Sequence, residues 1–312
     1  MTPPQEGMLP APGAWGRLLR RRLAVASLMV IVVIYGAGIL APWLAPHSFR
    51  EIDLANTFAG PSLEHPLGTD RLGRDVLSRL MWSAQTTVII SASSLLLGGL
   101  LWGTGLGLLA GYLGGRVDNI IMRLGDILAS LPDILLLLII TATVRPRVTD
   151  FFRDVERWTG LEGIVESGAP DYILVFAALS LFGWVGMARI VRSQVLALRE
   201  SEYVLAARAL GASSLHIILR HLLPNVSHLM VVAATQLLGT AAGAEVVLSF
   251  LGIGIQPPHP SFGSMIFEAA GPRNMLAHPH LIFAPAAVVG ALLMAFSFLG
   301  DALNDALSPR RR

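Results

Sequence analysis

A short polar stretch between two apolar runs decides the fold: Ser201–Asn225, SEYVLAARALGASSLHIILRHLLPN. Ser201 is of a type that caps helix N-termini, and Glu202 falls in the first turn, where the helix dipole favours a carboxylate. Gly211 is typical of the left-handed residue that ends a helix. These residues predict a short helix from Glu202 to Leu210 that stops at the glycine.

A second helix is predicted directly after the glycine. Ser213 is its expected cap, and Pro224 is expected to set the bend into the next apolar run. Small residues such as Ala206 and Ala207 make the first helix slim, so that another backbone can approach it closely. We therefore predict a rigid projection into water through which force can pass to another protein. An ordinary surface loop with good caps is the alternative.

The whole chain has the composition of an integral membrane protein. Of its 312 residues, 54% are hydrophobic and 14% are charged, whereas soluble domains carry about 25% charged residues. Because a spanning helix needs about 20 mostly apolar residues, we predict an all-α bundle with six spans: 24–42, 86–110, 122–144, 172–190, 226–250 and 281–302. The charge-free run 80–115 is longer than the bilayer core as one helix, so we expect part of it at the interface or in another element. Its glycines at 98, 99, 103, 105, 107 and 111 predict close helix packing.

The arginines predict the orientation. With the N-terminus inside, most of the 23 basic residues, all of them arginine, fall in inner segments, as the positive-inside rule requires. The predicted organisation is an inner tail (1–23), a first span (24–42), an outer segment (43–85), a five-span core (86–303) containing the inner loop 191–225, and an inner C-terminal tail (304–312). The arginines form no basic stripe with stacking aromatics, which argues against nucleic-acid binding.

The chain contains neither lysine nor cysteine. A phosphate-binding P-loop requires a lysine, so the chain is not expected to hydrolyse ATP by that route. It also lacks a serine nucleophile elbow and an H-E-x-x-H motif, and we expect no catalytic residue. The eight histidines show no metal-ligand pattern, and we expect no metal site.

Some polar residues are predicted at membrane depth, where they are costly and are functional candidates. Glu245, near the outer end of the fifth run, fits either a hydrogen bond between helices or a wall position on a translocation path. Arg123 and Asp126, three residues apart near the inner end of the third run, predict a structural ion pair.

Two patterns concern the third run and the segment after it. The stretch 130–133, SLPD, predicts a helix break at Pro132, with Ser130 as the cap of the helix that begins near Asp133. Such a break is typical of transport paths, and a static kink is the alternative. Residues 148–158, VTDFFRDVERW, place apolar side chains on one helical face and predict an interfacial helix on the outer leaflet.

Three motifs resemble a known family. The run A-A-R-A-L-G followed by L-P, at 206–211 and 223–224, resembles the EAA loop of importer-type ABC permeases. HPLGTDRLGRDVLSRL (65–80) and LSFLGIGIQPPHPSFGSM (248–265) are similar to the dipeptide/oligopeptide/nickel permease family. The likeness covers all six runs in order. It implies a type I ABC importer permease fold in the bacterial inner membrane.

The resemblance also implies a role for the projection. In that family it is a coupling helix that docks on an ATPase subunit, which assigns coupling to Glu202, Tyr203, Leu205, Ala206, Ala207, Arg208, Gly211, Ala212, Ser213 and Pro224. The implied partners are a second permease subunit, two ATPase subunits that bind ATP and Mg²⁺, and an extracellular substrate-binding protein. This chain departs from the motif at Leu205, where the family usually has Glu, and Glu202 lies one turn earlier on the same face as a substitute.

The function predicted from these motifs is a peptide permease, with nickel or another small solute as the alternative cargo. A secondary transporter driven by an ion gradient would show paired broken helices, and the sequence shows no clear second copy of the 130–133 break. A non-transporting membrane scaffold would explain the projection but not the glycine-rich, kinked spans. An intramembrane enzyme would need a convergent catalytic set.

Overall fold

The computed structural model describes residues 14–307, so the predicted inner tails 1–23 and 304–312 lie partly outside the described range. Within it the regular structure is helical, and the one β-bridge joins Thr69 and Asp75. The helices are α1 (Ala14–Leu19), α2 (Arg22–Ile39), α3 (Ala41–Leu44), α4 (Val76–Leu113), α5 (Gly115–Ala129), α6 (Asp133–Thr159), α7 (Ala169–Leu198), α8 (Glu202–Ala209), α9 (Ser214–Phe250), α10 (Phe262–Ala269), α11 (Pro272–Ala277) and α12 (His280–Leu307).

Five helices in the described range are long and apolar enough to cross a membrane: α2, α4, α7, α9 and α12. The pair α5–α6 makes a sixth crossing when it is counted as one broken span. The predicted all-helical fold with six spans is confirmed on that count. The second span differs most from its prediction, because α4 continues for 38 residues, about 57 Å at 1.5 Å per residue. Its excess length is therefore not housed in another element.

α4 packs against α7 along a row of glycines. A methyl group added to Gly98 would lie 2.8 Å from the Ser180 Cα, and one added to Gly107 would lie 2.7 Å from the Ala188 carbonyl oxygen. Both distances are shorter than van der Waals contact, so only glycine lets the two backbones approach this closely. The predicted packing role of these glycines is confirmed at both positions.

The third crossing is broken where the sequence predicts a break. α5 and α6 meet at an angle of 86°. The predicted cap was wrong, because Pro132 occupies the N-cap position of α6. The Ser130 hydroxyl instead donates to the Ile127 carbonyl oxygen at 2.7 Å, which also accepts from the Ser130 amide at the end of α5.

The break lies level with the middle of α7. On its α5 side, Ile121 belongs to a buried cluster with Trp184 and Val185. On its α6 side, Leu137 belongs to a cluster with Val175 and Leu179. The connection between α5 and α6 therefore falls between these two levels, near the midpoint of Ala169–Leu198.

The predicted interfacial helix at 148–158 was wrong as a separate element. α6 runs from Asp133 to Thr159 without interruption and passes through Pro146. Gly160, with φ of 71°, is the left-handed residue that ends it. No helix-ending glycine occurs earlier in the segment, which explains why the helix continues.

Four charged side chains fix the outer segment to the bundle. Arg74 contacts Asp70 at 2.7 Å and Glu268 at 2.5 Å. Arg79 contacts the same two carboxylates at 2.5 and 2.9 Å. Asp70 and both arginines are buried, and each charge has an opposite charge beside it, which is the condition for keeping charges in a protein interior. This network ties the start of α4 to α10.

Candidate functional site

The projection predicted from the sequence is present, and its first helix is α8. Ser201 occupies the N-cap position, but its hydroxyl donates to the Leu198 carbonyl oxygen at 2.5 Å and makes no cap hydrogen bond. Gly211 has φ of 81° and ends the helix region in the left-handed conformation. Ser213 caps the following helix by accepting a hydrogen bond from the His216 amide at 3.3 Å.

Pro224, the predicted position of a bend, does not interrupt the helix. The helix after Ser213 runs from Ser214 to Phe250 as one segment of 37 residues. A π-helical turn, Ile218–Leu222, immediately precedes the proline. Since proline has no amide hydrogen to continue the α-helical ladder, a locally widened turn lets the helix pass through it. The projection is therefore joined directly to a membrane-spanning helix.

The face of the projection that is turned toward the bundle packs into a buried apolar cluster. Val204, Ile217 and Leu222 are completely buried, and the cluster also holds Val191 and Val195 of α7. Ala207 and Ala212 pack against the same cluster. This packing holds α8 in one orientation relative to α7 and α9.

A cation–π contact adds a second fixing point for the projection. The Arg208 guanidinium lies over the Tyr112 ring, 5.6 Å from its centroid. Tyr112 is at the C-terminal end of α4, so the contact ties α8 to a third helix. Arg208, predicted to act in coupling, therefore also has a packing partner within its own chain.

The face of the projection that is turned away from the bundle carries exposed apolar side chains. Leu210 is 89% exposed, and Tyr203, Leu205 and Leu215 are exposed as well. Glu202 and Ala206 are exposed beside them. An apolar surface of this kind on a polar projection is typical of a protein–protein contact. Leu205, which stands where the family motif has Glu, is among the outward-facing residues.

Ion pairs join helices in the half of the bundle next to the projection. The Arg192 guanidinium donates to both carboxylate oxygens of Asp118. Asp126 pairs with Arg189 at 2.7 Å. The predicted pair between Arg123 and Asp126 was wrong, because Asp126 turns toward α7 and Arg123 is exposed. An arginine on a neighbouring helix reaches Asp126 in place of the one three residues away.

Asp133 stands at the broken crossing as an exposed carboxylate. It begins α6, directly after Pro132, and both residues are exposed. Leu131 and Ile134 beside them are exposed and apolar. At the level of the middle of α7, a carboxylate must face water or a polar partner, because lipid cannot solvate it. The break is therefore suited to a surface that is covered by protein or that lines an aqueous cavity.

Glu245 lies near the end of α9 that is far from the projection, and it is completely buried. It accepts hydrogen bonds from the Thr87 hydroxyl at 3.0 Å and the Ser249 hydroxyl at 2.9 Å. The first of these joins α9 to α4. The interhelical hydrogen bond, one of the two readings that the sequence left open, is thus observed.

Sequence reasoning missed two outer arrangements. Arg145 contacts Asp171 at 2.8 Å and donates to the carbonyl oxygens of Ile253 and Gly254 at 2.5 and 2.6 Å, so it holds the loop that follows α9. His47, His65 and Asp75 also come together. The sequence signal for the first was an arginine, one of the pair Arg145 and Arg147, directly after a long apolar run. For the second it was a pair of histidines too far apart for spacing rules to connect them.

These features define a class: a multi-pass helical membrane protein with a rigid projection on one side and a broken crossing level with the middle of α7. The family profile described as "Binding-protein-dependent transport system inner membrane component" matches residues 103–312. A second profile, "N-terminal TM domain of oligopeptide transport permease C", matches residues 12–61. The chain belongs to the family of binding-protein-dependent transport permeases, which are inner-membrane components of ABC importers.

Curated relatives resemble nearly the whole chain. The chain is 37% identical to the dipeptide transport system permease protein DppC of Bacillus subtilis over 299 residues, covering 96% of this chain and 85% of that protein. It is 34% identical to the oligopeptide transport system permease protein OppC of Bacillus subtilis, with 95% and 88% covered. It is also 34% identical to the glutathione transport system permease protein GsiD of Escherichia coli O157:H7, with 99% and 94% covered.

Proposed function

We propose that this chain is one of two permease subunits in an ATP-driven importer that takes up short peptides. The named cargoes of the relatives, dipeptides, oligopeptides and glutathione, share a peptide backbone and support this cargo class. An extracellular binding protein delivers the peptide, and two ATPase subunits bind ATP and Mg²⁺. Nickel or another small solute is the alternative cargo. The N- and C-termini lie in the cytoplasm, on the side of the projection.

One observation carries the proposal: the surface centred on Leu205 and Leu210 projects from the bundle while Val204 and Ile217 anchor it from behind. We call this exposed surface, formed by Glu202, Tyr203, Leu205, Ala206 and Leu210, the coupling surface. Because it is anchored in this way, the coupling surface can bind a partner protein without moving independently of the membrane-spanning helices. It supports docking of an ATPase subunit on the coupling surface.

Force applied there has a direct route into the membrane. The rooted projection leads through Gly211 into α9, which is continuous from Ser214 to Phe250. α9 in turn packs against α4, α7 and α12. Closure of the two ATPase subunits around ATP would move the coupling surfaces of both permeases together, and each α9 would carry that movement to the outer side.

The translocation path is proposed to run between this chain and the second permease subunit. Pro132 and Asp133 support this location, since they are exposed on one chain at mid-depth, where a facing subunit would complete an aqueous passage. Glu245 is proposed to line or gate the outer part of the path only in another conformation, because it is enclosed by Thr87 and Ser249 here.

Cysteine cross-linking tests the docking proposal cleanly, because the chain has no cysteine of its own. We expect Ala206→Cys to cross-link to an ATPase subunit in isolated membranes. The control is Ser62→Cys, an exposed position in the outer segment, which should give no such product. Equal products from both positions, or none from Ala206→Cys in an assembled complex, would refute docking at the coupling surface.

The same two variants test the orientation. In intact cells, a membrane-impermeant maleimide should label Ser62→Cys and leave Ala206→Cys unlabelled until the membrane is opened. The reverse pattern would contradict cytoplasmic termini. The cargo is tested separately by uptake of a labelled dipeptide and of Ni²⁺ in cells that depend on this importer, and uptake of Ni²⁺ alone would overturn the peptide assignment.

A further inference from the structure

A histidine–carboxylate cluster lies in the outer segment, away from the coupling surface and the broken crossing. One ring nitrogen of His47, one of His65 and a carboxylate oxygen of Asp75 all lie within 4.8 Å of one another. His65 Nδ1 is 3.1 Å from Asp75 Oδ1, and the rings of the two histidines are 4.6 Å apart. The three residues come from two loops and the start of α4.

Hydrogen bonds to neighbouring groups hold the cluster in position. Asp75 is the N-cap of α4 and accepts from the Ser78 amide at 2.7 Å, so its carboxylate has a fixed orientation. The Ser78 hydroxyl in turn accepts from the His47 amide at 3.0 Å. The Asp75 side chain has no exposure, and the His65 side chain is 14% exposed. The ligand-bearing groups are therefore partly preorganised by Ser78.

The surroundings are polar and acidic. The cluster borders a cavity of about 80 Å³ that is also lined by Glu51, Asp53 and Glu64. Hydrogen bonds from the Asn56 side chain and the Ala55 amide lower the pKa of Asp53 from its ordinary value, so this neighbouring carboxylate remains ionised. A negatively charged cavity with two imidazoles at its edge favours a cation that accepts nitrogen ligands.

From this geometry we infer that His47, His65 and Asp75 bind a Zn²⁺ ion, with water as the fourth ligand. Two imidazole nitrogens and one carboxylate oxygen are a common set for zinc, and at bond lengths of about 2.0–2.2 Å the ligand atoms of a tetrahedral site lie about 3.4 Å apart. The observed separations need only side-chain adjustment to reach this arrangement. On binding, His65 Nδ1, which here faces Asp75, would coordinate Zn²⁺ as part of a neutral imidazole whose single proton is on Nε2.

Such an ion would join the segment that follows the first span to the start of α4. His47 lies three residues beyond α3, and Asp75 directly precedes Val76. The site does not depend on the importer's cargo, since it belongs to the outer segment of a single chain. Its expected role is to stabilise the outer segment.

The test uses the full chain, purified in detergent with an affinity tag that contains no histidine and stripped of metal by a chelator. Calorimetric titration with ZnCl₂ should show one Zn²⁺ per chain, and His47→Gln should abolish that binding. His278→Gln, which removes another outer histidine, should leave it unchanged. Ser78→Ala, which removes only the group that holds His47, should weaken binding roughly tenfold. MgCl₂ should not bind, because Mg²⁺ prefers oxygen ligands.

Equal Zn²⁺ binding by His47→Gln and His278→Gln would overturn the inference, and so would the absence of stoichiometric binding by the unaltered chain. A second measurement uses only the unaltered chain, so the inference remains testable even if His47→Gln misfolds. Co²⁺ titrated in place of Zn²⁺ should give the strong visible absorption of a four-coordinate ion. The weak spectrum of a six-coordinate ion would equally overturn the assignment.

Discussion

Replacement of Gly211 tests whether the shape of the projection transmits force. Gly211 has φ of 81°, and a methyl group added there would meet nothing within 4 Å. The cost of Gly211→Ala is therefore a backbone cost alone, about 1–2 kcal/mol for a left-handed residue. Gly211→Pro must cost more, because proline requires φ near about −65° and would lose the hydrogen bond from the Gly211 amide to the Arg208 carbonyl oxygen at 3.0 Å.

These costs predict a graded loss of coupling. Since 1.4 kcal/mol corresponds to about a tenfold change in an equilibrium, Gly211→Ala lowers the population of the observed projection relative to rearranged forms by roughly five- to thirtyfold. For Gly211→Pro, a cost of about 3 kcal/mol or more corresponds to over a hundredfold. We expect reduced uptake with Gly211→Ala and almost none with Gly211→Pro. The spans themselves should fold in both variants, because the residue lies outside the membrane bundle.

The assay is peptide uptake and ATP hydrolysis by the complete importer in proteoliposomes, with binding protein added inside or outside. The quantity that decides is the number of peptides taken up per ATP hydrolysed. Gly36→Ala is the matched control, because this α2 glycine also has open space around it and lacks a positive φ. Wild-type uptake per ATP in Gly211→Pro would refute the reasoning that the observed stop at Gly211 transmits force.

The remaining predictions concern three acidic residues. Glu202→Ala should reduce transport-coupled ATP hydrolysis, since Glu202 is proposed to replace the acid missing at the next turn, and unchanged coupled hydrolysis would count against that role. Asp133→Ala should lower uptake several-fold with normal complex assembly, whereas wild-type uptake would remove Asp133 from the proposed path. Glu268→Ala should destabilise the detergent-solubilised chain by about 3–5 kcal/mol, because it leaves buried arginine charge underpaired, and an unchanged thermal midpoint would contradict this. Asp150→Ala, which breaks an exposed ion pair, is the control for the last two and should cost about 1 kcal/mol or less.

The sequence predicts features that depend on local chemistry. Gly211 and Ser213 act as the predicted helix stop and helix cap because left-handed φ and capping are decided by one residue and its nearest amides. The break at Pro132 follows in the same way from the missing amide hydrogen of proline. The glycine row of the second span also predicts close packing, since the absence of a side chain allows any neighbouring helix to approach its backbone closely.

Features that depend on distant partners were not predictable. Asp126 pairs with Arg189, 63 positions away, and no spacing rule could prefer it over Arg123. Ser201 and Ser130 both have the right type for a cap, yet each hydroxyl donates to a carbonyl of the preceding helix. The π-helical turn Ile218–Leu222, after which the helix continues through Pro224, also has no signature in the local sequence.

The glycine row between α4 and α7 also limits where the subunit can deform. Contacts as close as 2.7–2.8 Å to a single added carbon at Gly98 and Gly107 leave little room for these two helices to slide past each other. We expect the pair to behave as one stiff column through a working cycle. No comparable row of glycines packs both α5 and α6 against a neighbouring helix in the described part of the chain. We therefore expect the subunit to flex at the α5–α6 break, residues 130–132.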